Sequence, residues 1–160
     1  MSYAIDVVLV NEGDLDSPSF SKLAAFLQPV ADHLKLNKEI CIKIVDAEES
    51  QYLNKVYRGK DKPTNVLSFP SEFPDFVESP LLGDLAICAS VVVKEAQTQN
   101  KIENHHWAHM TLHGCLHLLG YDHIEDDEAE VMESLEVALL GLLGIANPYI
   151  ANPDAETEER

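Results

Sequence analysis

One segment constrains this chain more than any other: His113-Gly114-Cys115-Leu116-His117-Leu118-Leu119-Gly120-Tyr121-Asp122-His123. At roughly 100° per residue, His113 and His117 stand about 40° apart on one helical face, one turn above the other. Gly120 admits positive φ, ends the helix and turns the chain back, which presents His123 to the same point. The fold must therefore hold a helix that ends beside three imidazoles. Three neutral nitrogen donors without a fourth protein ligand make a catalytic zinc site with water in the open position, whereas structural zinc is closed by four donors, often thiolates. Seven histidines in 160 residues give about 0.3 H-x-x-x-H pairs by chance, and about 0.01 once a third histidine six residues on is required. Histidines merely satisfied in a core or on a surface are the weaker reading. Imidazole suits several metals, so zinc is the expectation and nickel stays open.

The neighbours of the trio take different roles. His109 shares the face but lies eight residues from His117, about 12 Å along the axis, too far for both to bind one ion. It is expected to support a ligand or to fill the core, as Asp122 is expected to orient a ligand histidine through its second ring nitrogen. Cys115 points away from the trio and reads as a small buried hydrophobe. Metzincin proteases carry H-E-x-x-H-x-x-G-x-x-H, and the three histidines and Gly120 fall on that pattern, but Gly114 stands where the glutamate base belongs. A protease would lack the carboxylate that deprotonates its attacking water. Met132 sits in an amphipathic acidic stretch and is expected in a helical core.

Around this segment the chain alternates short β-branched runs with helical patterns. Strands are expected at 5–10, 40–45, 66–69 and 83–89. Ser17-Pro18 reads as a cap and first residue of a helix over 18–35. Asp46 and Glu49 open another that Gly59 stops. Ser90 is expected to cap a third, and two more cover about 105–119 and 126–143. The prolines of 70–82 mark a loop. The expected fold is α/β (α+β): a single compact domain over 1–146, about a four-stranded mixed sheet packed with about five helices, then an acidic, frayed tail over 147–160. Seven of the twelve residues from Glu125 to Glu136 are acidic. They are read as a solvated face opening the last helix, not as a second metal site. Three cysteines with no C-x-x-C predict no disulfides. An opening without a basic region, and no apolar run near membrane length, predict a cytoplasmic chain with no membrane contact.

The whole motif H-G-x-L-H-L-x-G-Y-D-H resembles the signature of the YbeY family of bacterial metallo-endoribonucleases. Tyr57-Arg58-Gly59-Lys60 with Thr64-Asn65-Val66-Leu67-Ser68-Phe69-Pro70 is similar to a second block of that family, with Asn65 where Asp is usual. Gly83-Asp84-Leu85-Ala86-Ile87 is similar to a third. The resemblance implies an α/β fold with one zinc on His113, His117 and His123, and cleavage of single-stranded RNA. It implies work in ribosomal RNA maturation, notably at the 3′ end of the small-subunit RNA, and in ribosome quality control. It also places Arg58 beside the scissile phosphate, so that Arg58 and His113 carry the catalytic roles.

Charge tests that implication. Lys and Arg total 11 against 28 Asp and Glu, a formal net charge of −17. Such a chain repels nucleic acid in its global field, so a local patch must meet the phosphates. Lys55, Arg58, Lys60 and Lys62 supply one, four of the 11 cations within eight positions, although cations at a helix C-terminus are also ordinary. Arg58 has the planar fork that grips a phosphate bidentately. A patch this small implies weak binding to free RNA, with docking supplied by the small ribosomal subunit or a ribosome-associated protein. Two other readings compete: a metal-pinned assembly factor without hydrolytic activity, and a zinc protease or other hydrolase.

Overall fold

The computed structural model describes residues 2–72, 79–122 and 124–150. Among these residues, four strands, β1 (Ala4–Val10), β2 (Asn37–Val45), β3 (Val66–Pro70) and β4 (Leu81–Cys88), are joined by two helices between the first three and followed by three more, five in all. The helices are α1 (Phe20–Leu34), α2 (Ala47–Arg58), α3 (Ala89–Thr98), α4 (Glu103–Leu118) and α5 (Asp126–Leu142). The sheet order is β1-β2-β4-β3. β1, β2 and β4 run parallel, with Val7 opposite Ile40 and Ile42 opposite Leu85. β3 is antiparallel to β4, pairing Leu67 with Ala86 and Pro70 with Gly83. This is the expected mixed α/β fold.

Alternation along the strands divides the core in two. Ile5, Ile40, Ile42, Ile44, Val66, Leu85 and Ile87 face α1, α4 and α5 in the main core. Val45, Leu67, Ala86 and Cys88 face the other way and pack with Leu53, Phe69 and Val91. α4 is wrapped on almost every side, with Trp107, Leu112, Cys115 and Leu116 buried at most 2% exposed. A helix enclosed all round has no polar face, so its histidines must find partners inside the protein.

Several boundaries depart from expectation for local reasons. Ser19, not Ser17, caps α1, accepting from the Lys22 amide at 3.2 Å, so the helix starts beyond Pro18. α3 begins directly from β4 at Ala89, with no side-chain cap from Ser90. The expected loop over 70–82 is shortened by Leu81 and Leu82, which join β4, while 73–78 lie outside the described residues. Asp46 caps α2 as expected, accepting from the Glu49 amide at 2.8 Å. The three cysteines are free, and among the described residues no helix is long and apolar enough to cross a membrane. Residues 151–160 of the expected tail lie outside the described residues.

Candidate metal centre

α4 sets the geometry of the site. Gly114 lets it lie against the sheet: a Cβ there would meet Leu85 Cδ2 at 2.9 Å and Val66 Cγ2 at 3.0 Å. At the position where a metzincin carries its base, a side chain would have to displace Leu85 and Val66 of the core. Ser68 Oγ on β3 donates to the Gly114 carbonyl at 3.1 Å, which ties this turn of the helix to the edge strand. His113 and His117 then project to one side, with Nε2 to Nε2 at 3.2 Å. Two nitrogens at about 2.0–2.1 Å from a tetrahedral ion stand about 3.3–3.4 Å apart. The pair therefore fits one zinc-sized cation. Gly120, at φ 100°, ends this stretch of chain in a left-handed turn. The third expected ligand, His123, lies outside the described residues.

Behind the pair sits a carboxylate. Glu136 of α5 is fully buried, at 0% exposure. Its Oε2 meets His113 Nδ1, and its Oε1 meets the Tyr149 hydroxyl and His109 Nε2, the latter at 3.3 Å. Burial alone would push the Glu136 carboxyl up, but hydrogen bonds from His109, His113 and Tyr149 outweigh it and hold the pKa down to about 2. A charged carboxylate only accepts, so all three partners must donate. His113 therefore donates from Nδ1 and turns Nε2 toward His117; in the neutral ring this is the tautomer a metal ligand needs. Burial lowers the pKa of His109 and favours its neutral form. The Tyr149 phenol is pushed up by burial and by its bond to Glu136.

This corrects the reading of the acidic run. Six of its seven acids are exposed, but Glu136 is interior. The signal was available: Glu136 falls in one stripe with Met132, Leu139 and Leu140, all buried. Tyr149 lies in the stretch expected to fray, yet its hydroxyl reaches the core carboxylate. Among the described residues, His109, His113 and Glu136 also bring ligand atoms within 4.8 Å of one another, a group able to hold a metal ion. His113 Nδ1 is bonded to Glu136, whereas its Nε2 faces His117.

The remaining expected residues occupy α2 and the stretch after it. Arg58 is the last residue of α2, and Lys55, Arg58, Lys60 and Lys62 are all exposed. Lys55 Nζ stands 3.9 Å from Asp61 Oδ2. Buried polar groups that sequence reasoning passed over hold this stretch in place. Asn54 Nδ2 donates to the Lys62 carbonyl at 2.8 Å, and Ser50 Oγ exchanges bonds with both backbone groups of Thr64 at 2.9 Å. Asn65 donates to both oxygens of Glu95 at 3.1 and 3.2 Å, and Glu95 meets His106 Nε2 at 2.9 Å. An aspartate at 65 would put a second carboxylate against Glu95, which accounts for the amide here. Asp84 is exposed on the outer sheet face, and Asp122 is half-buried beside Tyr121.

Two comparisons bear on this arrangement. The solution structure of TM1509 from Thermotoga maritima is similar at a TM-score of 0.55 and 24% identity, covering 96% of this chain and 99% of that one. The likeness supports the fold. The family model described as Endoribonuclease YbeY matches residues 11–144. That span takes in β2, β3 and β4, all five helices, the histidine segment and the basic stretch, and the chain belongs to the YbeY family of endoribonucleases.

Proposed function

We propose that this chain is a zinc-dependent endoribonuclease that cuts single-stranded RNA during ribosomal RNA processing, at the small-subunit 3′ end, and takes part in ribosome quality control. The observation that carries the metal-dependent reading is the His113–His117 pair at 3.2 Å, with Glu136 holding His113 in the ligand tautomer. His113, His117 and His123 would hold the ion, which supplies Lewis acidity toward the scissile phosphate and a lowered pKa for an attacking water. Arg58, exposed at the end of α2, grips the phosphate and neutralises charge that grows in the transition state. Glu136 keeps its charge and its three donors, so it orients rather than exchanges protons. Lys55, Lys60 and Lys62 steer the backbone of the RNA, and the small ribosomal subunit or a protein bound to it supplies the docking that a chain of −17 lacks.

The test is bound metal and cleavage of a single-stranded RNA by the wild type, His113→Ala and Arg58→Ala. His113→Ala should lose metal and activity together. Arg58→Ala should keep metal and melting temperature while cleavage falls on the order of 10²-fold. Cleavage unchanged in both variants would leave the assembly-factor reading, and cleavage of protein but not RNA would overturn this one. Product ends identify the nucleophile: a 2′,3′-cyclic phosphate means attack by the RNA's own 2′-hydroxyl, a 5′-phosphate means water.

A further inference from the structure

α2 presents an aromatic ring to solvent in the one basic stretch of an acidic chain. Tyr57 is 64% exposed. It packs on Phe69 of β3 edge-on, with ring centroids 5.0 Å apart and planes at 71°. An edge contact leaves ring faces uncovered, so the pair is apolar surface with room for a flat partner. Its place is set by the edge strand. Phe69 packs beside Leu53 on one face of β3, while the neighbouring Ser68 points to the opposite face, where its hydroxyl holds the Gly114 carbonyl. Arg58 and Lys60 follow Tyr57 in sequence, and the Asn54 and Ser50 hydrogen bonds hold the stretch after the helix through Lys62 and Thr64.

We propose that Tyr57, backed by Phe69, is a stacking platform for one unpaired base of the RNA beside the scissile phosphate. The inference rests on the endoribonuclease reading and adds to it the side chain that engages a base. Every base has a π-face, so an aromatic ring binds without regard to sequence, while neighbouring cations follow the backbone. A paired base is already stacked above and below within the duplex. The platform therefore selects for single strands through geometry alone. Charge complementarity names the occupant: in a chain of net charge −17, the exposed ring belongs to the stretch that carries Lys55, Arg58, Lys60 and Lys62, four of its 11 cations, all exposed.

The experiment is steady-state cleavage of a short single-stranded RNA by the full-length protein as wild type, Tyr57→Phe, Tyr57→Leu and Tyr57→Ala. Tyr52 serves as the control, being equally exposed at 64% but about 140° further round the same helix. The Leu variant preserves apolar packing on Phe69 and removes the ring. Ala and Leu should raise KM roughly tenfold with kcat nearly unchanged, while Tyr57→Phe and Tyr52→Ala stay within about twofold. Replacing single nucleotides by abasic residues should reveal one position that costs the wild type roughly tenfold and the Ala variant little. Equal KM in wild type and Tyr57→Ala, or equal damage from Phe and Ala, overturns the platform alone. Failure of the wild type to cut single-stranded RNA at all overturns the endoribonuclease reading and the platform with it.

Discussion

Replacing Glu136 with Gln tests whether the buried carboxylate orients a ligand or is one. Three donors converge on its two oxygens, and a glutamine keeps one acceptor while turning an amide toward the other donors. Hydrogen bonds to a charged group are worth about 1.5–3 kcal/mol each, so losing one or two of them costs on the order of 3 kcal/mol. The depressed carboxyl points the same way, since these donors hold its charged form against the cost of burial. Thermal unfolding should show a drop of about 6–12 °C for a chain of this size. Once Nδ1 of His113 is released the tautomer is no longer held, and zinc affinity, read by competition with a chromophoric chelator, should weaken by about 10–100-fold. His109→Gln should change that affinity by no more than about threefold. Near-complete loss of metal in both variants would refute the argument and move the ion onto His109, His113 and Glu136; unchanged affinity in Glu136→Gln would refute the orienting role.

Three further outcomes follow from the packing. Gly114→Glu, which restores the metzincin base in sequence, should yield no peptidase and little folded protein, because the new side chain meets Leu85 and Val66 within 3.0 Å; circular dichroism and a casein assay check both. Asn65→Asp should destabilise the protein at pH 7.5 by about 1–2 kcal/mol. In the wild type the His106 hydrogen bond lowers the Glu95 pKa, so its stabilisation is present above the ordinary carboxylate range and lost as pH falls below it; in the variant two facing carboxylates titrate upward, and the deficit should shrink as pH falls toward 4.5. Urea denaturation at the two pH values reads this, and a deficit independent of pH refutes it. Chelation should lower the melting temperature of the wild type, and zinc at about 100 times its Kd should restore about 2.7 kcal/mol; His113→Ala should show neither effect.

By itself, the sequence determined the local events. Histidines one turn apart before a turn-forming glycine, Asp46 three residues ahead of Glu49 and β-branched runs between helical patterns are each decided by neighbours within a few positions, through 3.6- and 2-residue periodicity and cap chemistry. Tertiary structure decided who meets whom. The insertion of β4 between β2 and β3, the pressing of Gly114 onto Leu85, and the gathering of His113 and Tyr149 on Glu136 from 23 residues before and 13 after join parts far apart in the chain. Periodicity reports that a residue is buried and says nothing of its partner. A carboxylate within an apolar stripe announces only that donors must exist, and the packing of α4 against α5 determines which ones they are.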